Sequence, residues 1–106
     1  MRFYLKRKND MVDAVMEWDE SNNTFTVLRG SLVSETIATH TKFRSAKSVK
    51  AARENGVVIE RRVMRDICFK SASSAANFVT VASTNGLVSW KNKDGKTIKD
   101  IIEDNN

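Results

Sequence analysis

Few residues in this sequence have side chains suited to chemistry, and their spacing decides what each one is for. There is one histidine, His40, and one cysteine, Cys68. A zinc site draws three or four such ligands from short spacings, so these two do not make one. Ser71 and Ser73 invite comparison with nucleophiles, but no partnered base accompanies them. Ahead of an alanine-rich segment they read instead as a helix N-cap and its neighbour. No pair of carboxylates stands out from the surface charge for acid–base catalysis. The glycines Gly30, Gly56, Gly86 and Gly95 are scattered and do not form a phosphate-cradling loop; each falls at a turn or a cap. The residues therefore point away from an enzyme and imply no cofactor and no metal.

Positive charge remains. The net charge is +5, and residues 41–70 carry nine Lys/Arg against three Asp/Glu, so the excess sits in the middle third. Lys42, Arg44, Lys47, Lys50 and Arg53 precede and line a predicted helix. Lys47, Lys50 and Glu54 stand three to four residues apart on one face of it. Arg61, Arg62 and Arg65 extend the run. Six or more convergent cations can contact several phosphates, giving salt-sensitive binding with a non-specific Kd of about 10⁻⁴–10⁻⁶ M. The competing reading is a solvated face that keeps the protein soluble. Trp90 and Trp18 can serve as stacking platforms for bases, but the apolar pattern around each fits a core anchor better.

These residues need elements to position them. Phe3–Lys8, Val12–Trp18 and Thr24–Arg29 read as a three-strand meander. Val12, Ala14, Met16 and Trp18 alternate with polar residues at period two, and β-branched residues dominate the third segment. A short strand near Leu32-Val33 opens a loop that runs to Arg44. Ser45 caps a helix to about Asn55, with Gly56 as the left-handed residue that ends it. Residues 57–69 look extended, with an interruption near Glu60 to Arg62. Ser71 then caps a central helix whose Ala72, Ala75, Ala76, Val79 and Ala82 recur at helical spacing beside Phe78. That helix is expected to end at Thr84-Asn-Gly86, with Asn85 or Gly86 at positive φ. A strand from Leu87 to Lys91 carries Trp90. Lys93-Asp-Gly95 turns the chain, and Thr97 caps a last helix from Ile98 to Glu103. Strands and helices in this order give an α+β class: a small antiparallel sheet packed by two main helices and a short C-terminal one.

The 106 residues fit a single domain, 1–106. No apolar run approaches the roughly 18 residues of a membrane helix. The basic N-terminal segment is broken by charge before a signal core can form. Cys68, between Ile67 and Phe69 on an expected strand, reads as a buried inert thiol, and the whole fits a reducing cytoplasm.

Several local motifs resemble a bacterial family known only as domain of unknown function 4357. They are Val27-Leu-Arg-Gly-Ser31, Asp66 with Phe69, Ser71, Ser73, Ala75-Ala76, Asn85-Gly86, Trp90-Lys91 and Asp94-Gly95-Lys96, spanning roughly residues 25–102. The family often lies C-terminal to GIY-YIG nuclease-like domains. The resemblance thus implies a non-catalytic accessory module linked to restriction or nuclease systems. Its expected partners are DNA or RNA, or another protein of such a system. Two departures stand out. The family has Ser-Pro-Ser where this chain has Ser71-Ala72-Ser73, and Gly-Arg where it has Val81-Ala82. The site expected from the residues is Lys42, Arg44, Lys47, Lys50, Arg53, Arg61, Arg62 and Arg65. The alternative is a protein-interaction or structural domain with no nucleic-acid ligand.

Overall fold

The computed structural model describes residues 1–8, 11–35, 46–82 and 84–104, with no side chains for 46–48. In chain order the elements are β1 (Arg2–Arg7), β2 (Val12–Asp19), β3 (Thr24–Val27), α1 (Ala46–Arg53), β4 (Val58–Ile59), β5 (Arg62–Val63), β6 (Ile67–Phe69), α2 (Ala72–Thr80), α3 (Gly86–Ser89) and α4 (Ile98–Asp104). The class is α+β. The sheet order is β1-β2-β3-β6, antiparallel throughout, with Phe3 opposite Met16, Trp18 opposite Phe25 and Thr26 opposite Cys68.

The alternation read from the meander holds. Phe3, Leu5, Val12, Ala14, Met16, Trp18, Phe25 and Val27 are all buried on one face. Their neighbours Tyr4, Lys6, Asp13, Val15 and Thr26 point the other way, as a period of two requires. β4 and β5 form a two-residue hairpin ribbon whose turn residues, Glu60 and Arg61, both take positive φ (48° and 68°). Left-handed backbone at both central positions matches the twist of a tight hairpin, although neither residue is the glycine or asparagine that adopts it most easily. Leu32 bridges to Asp13 on one side and Arg62 on the other, so the ribbon is tied to the sheet.

α2 covers the buried face of the sheet. Ala72, Ala75, Ala76, Phe78 and Val79 are buried in one cluster with Phe3, Met16, Val27 and Trp90. The alanines let the helix axis approach the strands closely, and Phe78 fills the remaining space, its burial contributing about 1.5–3 kcal/mol. Ser71 caps the helix as expected, its Oγ accepting from the Ser74 amide at 3.0 Å. Thr97 and Asp100 form a reciprocal box at the start of α4: the Asp100 amide donates to Thr97 Oγ1 and the Thr97 amide to Asp100 Oδ2. The backbone bond from Thr97 holds the Asp100 carboxyl below the usual carboxylate range.

The structure corrects the sequence reading at three places. α2 ends at Thr80, and the left-handed residue is Val81 (φ 54°), not Asn85 or Gly86. A β-branched residue in this conformation is strained by roughly 1–2 kcal/mol. Val81 occupies the first of the two positions where the resembling family carries Gly-Arg, and glycine adopts that backbone freely.

Residues 87–91 are not a strand. Asn85 caps the short helix α3 through Oδ1 and the Leu87 amide, and only Lys91 makes a β-bridge, to Tyr4. Packing overrides local preference here. A Cβ on Gly86 would sit 2.1 Å from the Ala72 carbonyl carbon, so the glycine permits backbone contact between α3 and the first turn of α2.

Finally, Cys68 is exposed. Its neighbours Ile67 and Phe69 pack against the core, and strand alternation turns the residue between them outward.

Candidate nucleic-acid interface

Of the eight cations singled out from the sequence, the structure describes the side chains of five: Lys50, Arg53, Arg61, Arg62 and Arg65. Lys42 and Arg44 lie outside the described residues, as do His40 and Ser45, and so does the side chain of Lys47. Lys50, Arg62 and Arg65 are exposed, and none makes an ion pair among the described residues. The others are turned toward the chain itself.

Arg53 is the clearest case. It is only 7% exposed, at the end of α1. Its Nε donates to the Phe78 carbonyl at 3.0 Å and Nη1 to the Ser34 carbonyl at 2.6 Å; Nη2 donates to the carbonyls of Phe78 and Val79. The guanidinium also lies 5.5 Å from the centre of the Phe78 ring. Phe78 and Val79 belong to the last turn of α2, where helix carbonyls lack partners and the dipole is negative. α2 has no basic residue of its own in that turn. Arg53 supplies the charge from the neighbouring helix. Burial pushes its pKa down to about 10, still far above neutral, so the group stays charged.

Arg61 is half-buried. Its Nε donates to the Val33 carbonyl at 3.1 Å and Nη2 to the Met11 carbonyl at 2.9 Å. These bonds hold a turn residue in left-handed backbone. Arg53 and Arg61 also share a cleft of about 330 Å³ with Glu35 and Glu60, whose carboxylates oppose the approach of a phosphate there. Arg62 donates from Nη1 to the Gly30 carbonyl at 3.1 Å but remains open to solvent.

The motif residues prove structural as well. Asp66 Oδ1 accepts from the Arg29 amide at 2.8 Å, pinning the loop after β3 to the approach to β6. Ser73 Oγ accepts from the Gly86 amide at 3.0 Å. Trp90 is fully buried and its Nε1 donates to the Ala72 carbonyl at 3.1 Å. Trp18 is buried too, stacked on Phe25 with ring centres 5.8 Å apart. Both tryptophans are core anchors. Ser71 bonds to Ser74 and Ser73 accepts from a backbone amide, and no group of three or more His, Cys, Asp or Glu side chains that can hold a metal occurs among the described residues.

Sequence reading missed a different set of cations. Tyr4 and Lys6 share the outward face of β1, an edge strand. Lys91 is held beside Tyr4 by two backbone bonds: Tyr4 N donates to Lys91 O at 2.7 Å, and Lys91 N donates to Tyr4 O at 3.0 Å. Lys93 follows in the turn that Asn92 organises, its Oδ1 accepting from the Asp94 and Lys96 amides. These residues, with Ser89 and Gly95, line a cleft of about 500 Å³. The only signals in the sequence were the alternation in β1 and the Trp90-Lys91 motif; nothing local links the two.

Together these contacts define a small α+β fold whose serine, glycine and tryptophan motifs are spent on internal structure. The chain belongs to the family described as Domain of unknown function (DUF4357), whose sequence model matches residues 3–102. The match takes in the N-terminal strands as well as the motifs that carried the resemblance. No curated protein and no solved structure matches the chain. Among the described residues, no helix is long and apolar enough to cross a membrane.

Proposed function

We propose that this domain is a non-catalytic accessory module that binds nucleic acid weakly through the phosphate backbone, in the service of a nuclease or restriction system. The reading rests on Lys50, Arg62 and Arg65, which stay exposed and without carboxylate partners in a segment of strong positive excess. Exposed cations that are not neutralised at home are available to displace counterions from a phosphate chain, and such binding is steeply salt-dependent. Arg53 and Arg61 are left out of the interface because their guanidinium groups serve internal carbonyls.

The test is a titration with labelled duplex and single-stranded DNA at several salt concentrations. The triple change Lys50→Ala, Arg62→Ala and Arg65→Ala is expected to shallow the logarithmic salt slope by about 2–3 units, roughly one per lost phosphate contact. An unchanged slope puts the contact elsewhere. No binding at low salt removes the proposal and favours a protein partner. For that rival the exposed Leu87 and Ile102, which rim a cleft of about 330 Å³ floored by Trp18 and Phe25, are the surface to examine.

A further inference from the structure

The cleft at the β1 edge has a composition distinct from the arginine-rich segment. Its polar lining is Lys6, Lys91, Lys93, Asn92 and Ser89, with the Tyr4 ring and Gly95 completing the wall. No carboxylate of the described residues is part of the lining, although Asp94 stands between Lys93 and Gly95 in the same turn. The nearest in register is Asp13, opposite Lys6 on β2, and the two side chains make no ion pair within 4 Å. None of the three lysines has an ion-pair partner among the described residues, whereas Lys96 and Lys99 are paired with Asp104 and Glu103. Ser89 spends its hydroxyl on the Asn85 carbonyl and Asn92 its Oδ1 on the turn amides, which leaves the Asn92 amide nitrogen without a partner among the described residues.

Three ammonium-bearing side chains around one cleft repel one another, and an anion bound there relieves that repulsion. The backbone fixes where the three side chains start. The Tyr4–Lys91 bridge fixes the first lysine to the sheet, strand alternation fixes Lys6 two residues along, and the Lys91–Thr97 bridge closes the turn that carries Lys93. Tyr4 is half-buried and forms no ring pair with another aromatic side chain among the described residues. Its ring offers a flat apolar surface beside the cations. A cleft of this size admits a small organic ligand rather than a bare ion alone.

We infer that this cleft binds a phosphorylated nucleoside, with the phosphate held by Lys6, Lys91 and Lys93 and the base lying against Tyr4. The ligand is either a free nucleotide or the phosphate-bearing end of a nucleic-acid strand. The site is separate from Lys50, Arg62 and Arg65 and stands or falls without them.

The experiment is an amide-shift titration of the whole chain by NMR. The probes are AMP, inorganic phosphate, and one oligonucleotide with and without a 5′-phosphate. Shifts are expected at Tyr4, Lys6 and residues 91–95 with AMP and with the phosphorylated strand. AMP saturating as readily as the phosphorylated strand identifies a free-nucleotide site; a clear preference for that strand over both AMP and its unphosphorylated form identifies an end-binding site. The combined Lys6→Gln, Lys91→Gln and Lys93→Gln variant should abolish these shifts while the rest of the spectrum is retained. Tyr4→Leu should weaken AMP about tenfold, the loss expected for one stacking ring, and leave inorganic phosphate unchanged. Should the triple variant misfold, the three single changes give the same reading in smaller steps. Absence of shifts at the cleft with every probe overturns the inference. So does AMP binding that matches inorganic phosphate and ignores Tyr4→Leu. The Lys50, Arg62 and Arg65 variant should keep the cleft shifts, so failure of the backbone-binding proposal and failure of this one are read apart.

Discussion

Arg53 and Arg61 in the middle of the chain, and Lys6, Lys91 and Lys93 around the β1 edge, carry the same charge but face opposite ways. The arginines donate to the chain's own carbonyls at the end of α2 and beside the β4–β5 turn. The lysines line an open cleft without carboxylate partners among the described residues. The difference follows from side-chain chemistry. A guanidinium presents several donors in a rigid plane and is less strongly hydrated, so it can be drawn inward to gather carbonyls; an ammonium group is a compact hydrated charge that stays at the surface. A run of cations in sequence therefore overstates the surface charge wherever arginines act as fasteners.

The contrast can be broken most decisively at Arg53. Arg53→Leu leaves the carbonyls of Phe78 and Ser34 buried without that donor, and the expected loss is about 3–5 kcal/mol in urea unfolding, from unsatisfied groups that cost about 1–3 kcal/mol each. Near-native stability in this variant would mean the guanidinium is not a fastener. A smaller effect of opposite sign is expected at the same end of α2. Val81→Gly relieves left-handed strain and should raise stability by about 0.5–1 kcal/mol, read as a higher melting temperature. A drop would show that the Val81 side chain contributes more by packing than its backbone costs. Least of all should change in the combined Lys6→Gln, Lys91→Gln and Lys93→Gln variant. Its stability should stay within about 0.5 kcal/mol of the parent, as for exposed positions without partners. A large loss there would make the lysines structural and erase the distinction.

The meander, the Ser71 cap and the alanine face of α2 were legible in the sequence because each is a local pattern: period two, a capping residue ahead of an apolar run, helical spacing. The interruption at Glu60 to Arg62 was legible for the same reason, appearing as the ribbon turn. What escaped depends on contacts between distant residues. Leu87-Val-Ser89 carries mixed propensity, and only the approach of Gly86 to Ala72 decides that it coils. Cys68 was misplaced because two apolar neighbours suggested burial, when the alternation they define excludes it. Of the candidate site, Lys50, Arg62 and Arg65 are exposed, while the inward turn of Arg53 could not be seen without α2 beside it. The cleft was invisible for a stronger reason: Tyr4 and Lys91 meet only through a bridge between residues far apart in the chain.

One corner of the fold has a further consequence. Gly86 touches the backbone of Ala72, Ser73 holds the Gly86 amide, and the Trp90 indole reaches the Ala72 carbonyl. Three ties join the same two short stretches, so α3 cannot peel away by breaking one of them. Opening α3 exposes the start of α2 at Ala72 and Ser73. Segments coupled in this way open together rather than fray singly. The corner is built as a latch: the start of α2 and α3 are expected to open as one unit, which matching amide-exchange protection at the two would check.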